Sequence, residues 1–125
     1  MPQGSRILIV DDNDDLRTML GYQLQARGYV VTMASDGSQA IQRCRDEHPD
    51  IVLMDVMMPG MDGTEAAAML KDDPETASIP ILFLTSLVQG QDAIRQDDAR
   101  DRFTLPKSIE FDKLLYEIEL ALTKK

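Results

Sequence analysis

Ile51-Val52-Leu53-Met54-Asp55-Val56-Met57-Met58-Pro59-Gly60-Met61-Asp62-Gly63 is the stretch whose reading decides the fold. Four apolar residues run straight into a carboxylate, and the chain then breaks at Pro59-Gly60 and again at Gly63. A short apolar run bounded by turn residues reads as a strand buried on both faces. Asp55 stands at the carboxyl end of that strand, where open α/β sheets place their ligand crevices. A carboxylate so placed is costly unless a polar or cationic group meets it. By itself the stretch fits a functional acid and a turn-capping aspartate equally well.

The flanking sequence repeats the same unit. Arg6-Ile7-Leu8-Ile9-Val10 is a β-branched run ending in Asp11-Asp12, and Asn13 or Asp14 can cap the helix that follows. In that helix Leu16, Met19, Leu20 and Leu24 share one face, and Arg27-Gly28 ends it. Residues 29–34 form a second strand. Asp36-Gly37-Ser38 opens a second helix that buries Ala40, Ile41 and Cys44. Beyond Gly63, Thr64 to Lys71 is helical and Asp73 to Ser78 is a polar loop. Residues 79–84 make a fourth strand that ends in Thr85-Ser86, and Gln89 to Arg102 reads as a short, largely polar helix. Phe103-Thr104-Leu105-Pro106 is the last strand, and Ser108 caps a final helix striped by Phe111, Leu114, Leu115, Ile118 and Leu122. Strand and helix alternate five times with no repeat and no linker. This predicts an α/β domain with a doubly wound, five-stranded parallel sheet covered on both faces by five helices. One domain over 1–125, with 1–5 as a flexible lead, accounts for the whole length.

Composition narrows the function. The formal charge is -9, which opposes a nucleic-acid or anionic-membrane surface. Cys44 is the single cysteine, so neither a disulfide framework nor a thiolate metal cluster is available, and it reads as a small core residue. His48 reads as a surface residue in a helix-ending loop. No apolar run approaches the length of a membrane span, and Met1 to Ser5 does not resemble a secretory signal. A cytoplasmic location is the expectation.

In a parallel sheet the strands' carboxyl ends share one edge, so Asp11, Asp12, Asp55, Thr85 and Lys107 converge on one crevice. Two carboxylates about 4 Å apart repel by ~4 kcal/mol at a partly buried site. A divalent cation relieves that repulsion. Hard oxygen ligands without histidine or thiolate favour Mg²⁺, with Mn²⁺ as the alternative, and Mg²⁺ points to phosphoryl chemistry. Asp55 is the candidate nucleophile, because Asp11 and Asp12 stand together as a ligand pair. Lys107 balances the charge of a transferring phosphoryl group, and Thr85 donates a hydrogen bond to one of its oxygens.

Those residues carry a resemblance. Ile7-Leu8-Ile9-Val10-Asp11-Asp12, Pro49-Asp50 through Asp55 to Pro59-Gly60-Met61-Asp62-Gly63, Leu84-Thr85-Ser86 and Pro106-Lys107 together resemble the receiver domains of bacterial two-component response regulators. The likeness runs from about Arg6 to Thr123. It implies a flavodoxin-like fold with strand order 2-1-3-4-5, and a phosphorylatable switch rather than an enzyme acting on outside substrates. Asp55 would accept a phosphoryl group from a phosphohistidine on a partner histidine kinase or phosphotransfer protein. Mg²⁺ would be held by Asp12, Asp55 and the backbone carbonyl of Met57, with Asp11 assisting. Phosphorylation would repack the face formed by the fourth predicted helix, the fifth strand and the last helix, and so reach a downstream target or an output domain. Pro59 and Gly63 would shape the loop beside the acceptor.

Two departures from the family pattern concern how the signal leaves. Lys107 is followed by Ser108 instead of proline, and Thr104 stands three residues before Lys107 where an aromatic is expected, with Phe103 one position earlier. A shifted register or bulge would let Phe103 serve. Otherwise the chain is a degenerate receiver that acts as an interaction module. Met57 and Leu87, each two residues past Asp55 and Thr85, are apolar and cannot orient a hydrolytic water, which predicts slow loss of the phosphoryl group. The enzyme alternative, a Mg²⁺-dependent aspartyl-phosphate phosphohydrolase, wants an acid where Met57 stands. A flavin or nucleotide carrier wants a loop after the first strand that phosphate would not be repelled by, unlike Asp11 to Asp15.

Overall fold

A computed structural model describes residues 4–58, 60–85 and 104–123, with Thr85 described through its backbone alone. The elements run β1 (Arg6–Val10), α1 (Asp14–Gln25), β2 (Val30–Ala34), α2 (Gly37–Glu47), β3 (Ile51–Asp55), α3 (Gly63–Asp72), β4 (Ile81–Thr85), β5 (Thr104–Pro106) and a carboxyl-terminal helix (Phe111–Thr123). The sheet is five-stranded, in the order β2-β1-β3-β4-β5, and every pairing is parallel. That is the expected doubly wound topology. Four helices are found among the described residues. The helix expected over Gln89 to Arg102 lies outside them, as do Pro59, Ser86, Leu87 and Phe103.

Side chains alternate across each strand, and the alternation builds two cores. Ile7, Ile9, Leu53, Leu82, Leu84 and Leu105 face α1 and the carboxyl-terminal helix, meeting Leu20, Leu24, Leu114 and Ile118. Leu8, Val10, Val52, Met54 and Ile81 face α2 and α3, meeting Ala40, Cys44, Ala66 and Leu70. All five residues of β3 are buried, as its unbroken apolar run implied.

Local signals set the helix starts. Asn13 accepts from the Leu16 amide, Asp36 from the Gln39 amide, and Asp62 with Glu65 closes a reciprocal capping box. His48 ends α2 in the left-handed conformation with φ 50°, its amide donating to the Cys44 carbonyl. Three local expectations are corrected. Ser108 does not cap the last helix: the Ile109 amide donates to the Pro106 carbonyl across a turn at Lys107-Ser108, so the helix begins only at Phe111. α1 ends at Gln25, and Gly28 (φ +95°) makes the reversal beyond it. Met19 is exposed, because β1 and the carboxyl-terminal helix cover only the Leu20 and Leu24 side of α1. In β5 the register against β4 is unbroken from Thr104 to Pro106, so no bulge lies in the described part of that strand.

Candidate functional site

Register brings the acids together. Val10 pairs with Met54, which sets Asp11 beside Asp55 at the carboxyl edge of the two central strands. Both aspartates are only 3% exposed, whereas Asp12 is open to solvent. One oxygen from each of Asp11, Asp12 and Asp55 can lie within 4.8 Å of the others. On the other side β5 pairs with β4, Thr85 opposite Pro106, so Lys107 leaves the sheet next to the acids.

The Lys107 ammonium lies between the two buried carboxylates, 3.1 Å from Asp11 Oδ2 and 3.2 Å from Asp55 Oδ2. The remaining oxygens are also held. Asp11 Oδ1 accepts the Asn13 amide at 2.8 Å, and Asp55 Oδ1 accepts the Met57 amide at 3.4 Å. Burial, and then the neighbouring Asp11 charge, raises the Asp55 carboxyl above the ordinary carboxylate range, against the opposing pull of Lys107 and the Met57 amide. Burial alone would lower Lys107. Its bonds to Asp11 and Asp55 outweigh that effect and hold the ammonium above its usual value. The side chain therefore stays charged.

Behind Asp55 the chain turns through a crowded point. The Gly63 amide donates to the Val56 carbonyl at 2.8 Å. A Cβ on Gly63 would stand 2.1 Å from the Asp55 carbonyl oxygen. Only a residue without a side chain lets α3 start so close to the end of β3.

Asp11, Asp12, Asp55 and Lys107 are thus brought together as expected, and Met57 donates its amide to the Asp55 carboxylate. The Thr85 side chain lies outside the described residues. Sequence reasoning missed Asn13 and Arg17 as partners of Asp11: the Asn13 amide holds its carboxylate, and the Arg17 guanidinium donates to its backbone carbonyl. Only position hinted at them, both falling in the first turns of the helix that follows the acid pair.

The donor set suits a small hard cation. All candidate ligands are carboxylate oxygens, spaced so that one ion with its bound waters can bridge them.

Comparison with known proteins agrees with this geometry. Residues 7–119 match the family model of the response regulator receiver domain. The chain is 37% identical over 120 residues to protein PilH of Pseudomonas aeruginosa, covering 94% of this chain and 98% of that one. It is 39% identical over 120 residues to the response regulator PleD of Caulobacter vibrioides, covering 96% of this chain but 26% of PleD. Among solved structures, a putative response regulator from Chloroflexus aurantiacus superposes with a TM-score of 0.83 at 32% identity, over 97% of this chain and 99% of that one.

Proposed function

This chain belongs to the response regulator receiver domain family, and we propose that it is a phosphorylatable switch of a two-component phosphorelay with Asp55 as acceptor. The observation that carries this reading is the placement of Asp55: a buried carboxylate, flanked by Asp11 and Asp12, with the Lys107 ammonium 3.2 Å away. An ionised Asp55 oxygen attacks the phosphorus of a phosphohistidine on a histidine kinase or phosphotransfer protein. The P–N bond breaks, its electron pair returns to the imidazole nitrogen, and that nitrogen takes a proton. The product is an acyl phosphate on Asp55. Asp12, Asp55 and the Met57 backbone carbonyl, with Asp11 assisting, would hold Mg²⁺, which would supply positive charge against the phosphoryl oxygens.

Lys107 then has a second task. Its contact with Asp55 Oδ2 becomes a contact with a phosphoryl oxygen once that carboxylate is phosphorylated. The sequence-based expectation that Thr85 donates to another phosphoryl oxygen lies outside the described side chains. Phosphorylation adds about -1.5 to -2 of charge at this edge. A switch from 1:99 to 99:1 needs roughly 5.5 kcal/mol of differential stabilisation. The response runs through β5 and the carboxyl-terminal helix, toward a downstream protein or an output domain. The protein works in the cytoplasm. No described helix is long and apolar enough to cross a membrane.

The test is intact mass after exposure to acetyl phosphate or a phosphorylated kinase, with and without Mg²⁺. A gain of one phosphoryl mass that needs Mg²⁺ and vanishes in Asp55→Asn is expected. A wild-type chain left unmodified by both donors would leave only the degenerate interaction module.

A further inference from the structure

We propose that Arg17 is a positioning residue of the metal site, clasping the end of β1 to the first turn of α1 and thereby setting where Asp11 and Asp12 stand. Its guanidinium divides between two acceptors: Nη1 donates to the Asp11 backbone carbonyl and Nη2 to Asp14 Oδ1. The Arg17 side chain is 15% exposed, far more covered than its partner Asp14 at 83%. The carboxylate end is thus loose and the carbonyl end is the enclosed one.

The carbonyl matters because of what it belongs to. The Asp11 carbonyl and the Asp12 amide share one planar peptide unit. Holding that oxygen fixes the direction in which Asp12 leaves the backbone. Asp11 is otherwise anchored through its amide to Ala34, through Oδ1 to Asn13 and through Oδ2 to Lys107. Among the described residues no hydrogen bond or ion pair holds the Asp12 side chain, so its placement rests on the backbone that Arg17 grips. A planar fork can hold two diverging oxygens at fixed angles, which a single ammonium on a flexible stem cannot.

Charge and position predict opposite effects, and this makes the inference decidable. A cation beside an acidic metal site repels an incoming divalent ion. If Arg17 acted only by charge, removing it would tighten binding, and lysine would serve as well as arginine. If it acts by position, both substitutions weaken binding.

The inference rests on the proposed Mg²⁺ site, and the experiment keeps the two separable. The full chain, Arg17→Lys and Arg17→Gln are titrated calorimetrically with MgCl₂ at constant ionic strength, and their thermal unfolding is followed with and without Mg²⁺. Both variants are expected to lose about tenfold in Mg²⁺ affinity, the low end of what removing a supporting partner of a metal ligand costs. The Mg²⁺-dependent rise in melting temperature should shrink in parallel, whatever happens to the metal-free baseline. Unchanged affinity in Arg17→Lys, or tighter binding in Arg17→Gln, overturns the clasp and leaves the metal site standing. No Mg²⁺ binding by the wild-type chain overturns both. Should Arg17→Gln fail to fold, Arg17→Lys decides alone, since it keeps the charge and most of the stem.

Discussion

Replacing Gly63 by alanine strikes the acceptor without touching its carboxylate. The added Cβ would lie 2.1 Å from the Asp55 carbonyl oxygen, where ordinary contact begins near 3.4 Å, a shortfall of 3.4 less 2.1, or 1.3 Å. The neighbours are backbone: the Asp55 carbonyl carbon is 3.0 Å away, and the Met54 side chain is also at 3.0 Å. No rotamer change can clear the main-chain atoms. Either the start of α3 retreats, breaking the Gly63 amide's 2.8 Å bond to Val56, or the Asp55 peptide moves. Overpacking costs about 1–3 kcal/mol, and a broken hydrogen bond adds about 1 kcal/mol. Urea unfolding should therefore show a loss of roughly 2–4 kcal/mol. A displacement near 1 Å at a reacting group is worth on the order of 10²-fold in rate, so the initial rate of Mg²⁺-dependent phosphorylation should fall by about that factor. Gly60→Ala is the control. Gly60 has φ +77° with open space around its would-be Cβ. It should lose about 1 kcal/mol to backbone strain and keep its phosphorylation rate. If Gly63→Ala matched the wild type in both stability and rate, the crowding argument would be wrong.

Three further outcomes follow from the charges and exposures at the site. Lys107→Met leaves Asp11 and Asp55 facing each other without their ammonium, and should cost about 2 kcal/mol without Mg²⁺, less than for a fully buried pair because Lys107 is 23% exposed. Saturating Mg²⁺ should recover most of that loss in urea melts, and an equal loss with and without the ion would refute the account. Because Asp55 titrates above an ordinary carboxylate, the native state holds its proton more tightly than the unfolded chain does. Stability of the metal-free protein should therefore fall as pH rises from about 4 through that raised value, and Asp55→Asn should not show this fall. Saturating Mg²⁺ against the same carboxylate should lessen that fall, and the absence of any such fall in the metal-free wild type would contradict the raised carboxyl. Met57 is 56% exposed beside the acceptor; Met57→Asn offers an amide to the hydrolytic water and should shorten the phosphoryl lifetime by roughly tenfold, worth ~1.4 kcal/mol, as read by decay of the phosphorylated mass.

Those parts of the structure that depend on sums over many residues were readable in the sequence. The β3 run is buried on both faces, so Ile51 to Met54 had to be apolar, and no register slip could disguise it. Asp11, Asp12, Asp55 and Lys107 were legible because each directly follows an apolar run, and a parallel sheet puts all such positions on one edge. Features that depend on a single distance were not. Gly63 reads as a turn residue, and nothing local reveals that a backbone oxygen occupies the place of its Cβ. Asp73 to Ser78 reads as a solvated loop, yet Thr76 is buried and its hydroxyl donates to the Leu70 carbonyl at 2.6 Å. Ser108 has the chemistry of a cap, but the turn closed by Ile109 on Pro106 comes first. Arg17 looks like one more charge on a polar face, because its partner is a carbonyl and carbonyls leave no mark in a sequence. The roles expected of Thr85, Phe103 and the 89–102 segment fall outside the described residues.

Charge explains why this site calls for a divalent ion and not merely a second lysine. Asp11, Asp12 and Asp55 gather three carboxylates around the single ammonium of Lys107, which leaves two negative charges uncompensated when all are ionised. That crowding registers in the Asp55 carboxyl, which burial and the Asp11 charge raise above its ordinary value. A dication would cancel both charges at once. A monovalent cation would leave one negative charge uncompensated, and a fixed second lysine would hold the carboxylates permanently and leave no positive charge free to meet an arriving phosphoryl group. An exchangeable ion, with Lys107 already poised between the two buried acids, would let the site be neutral before the proposed transfer and still have an ammonium to offer afterwards. On that logic Mg²⁺ affinity should rise in Lys107→Met, where three uncompensated carboxylates meet the ion, while the response to phosphorylation is lost. Weaker Mg²⁺ binding in that variant would show that Lys107 organises the ligands more than it competes with the ion.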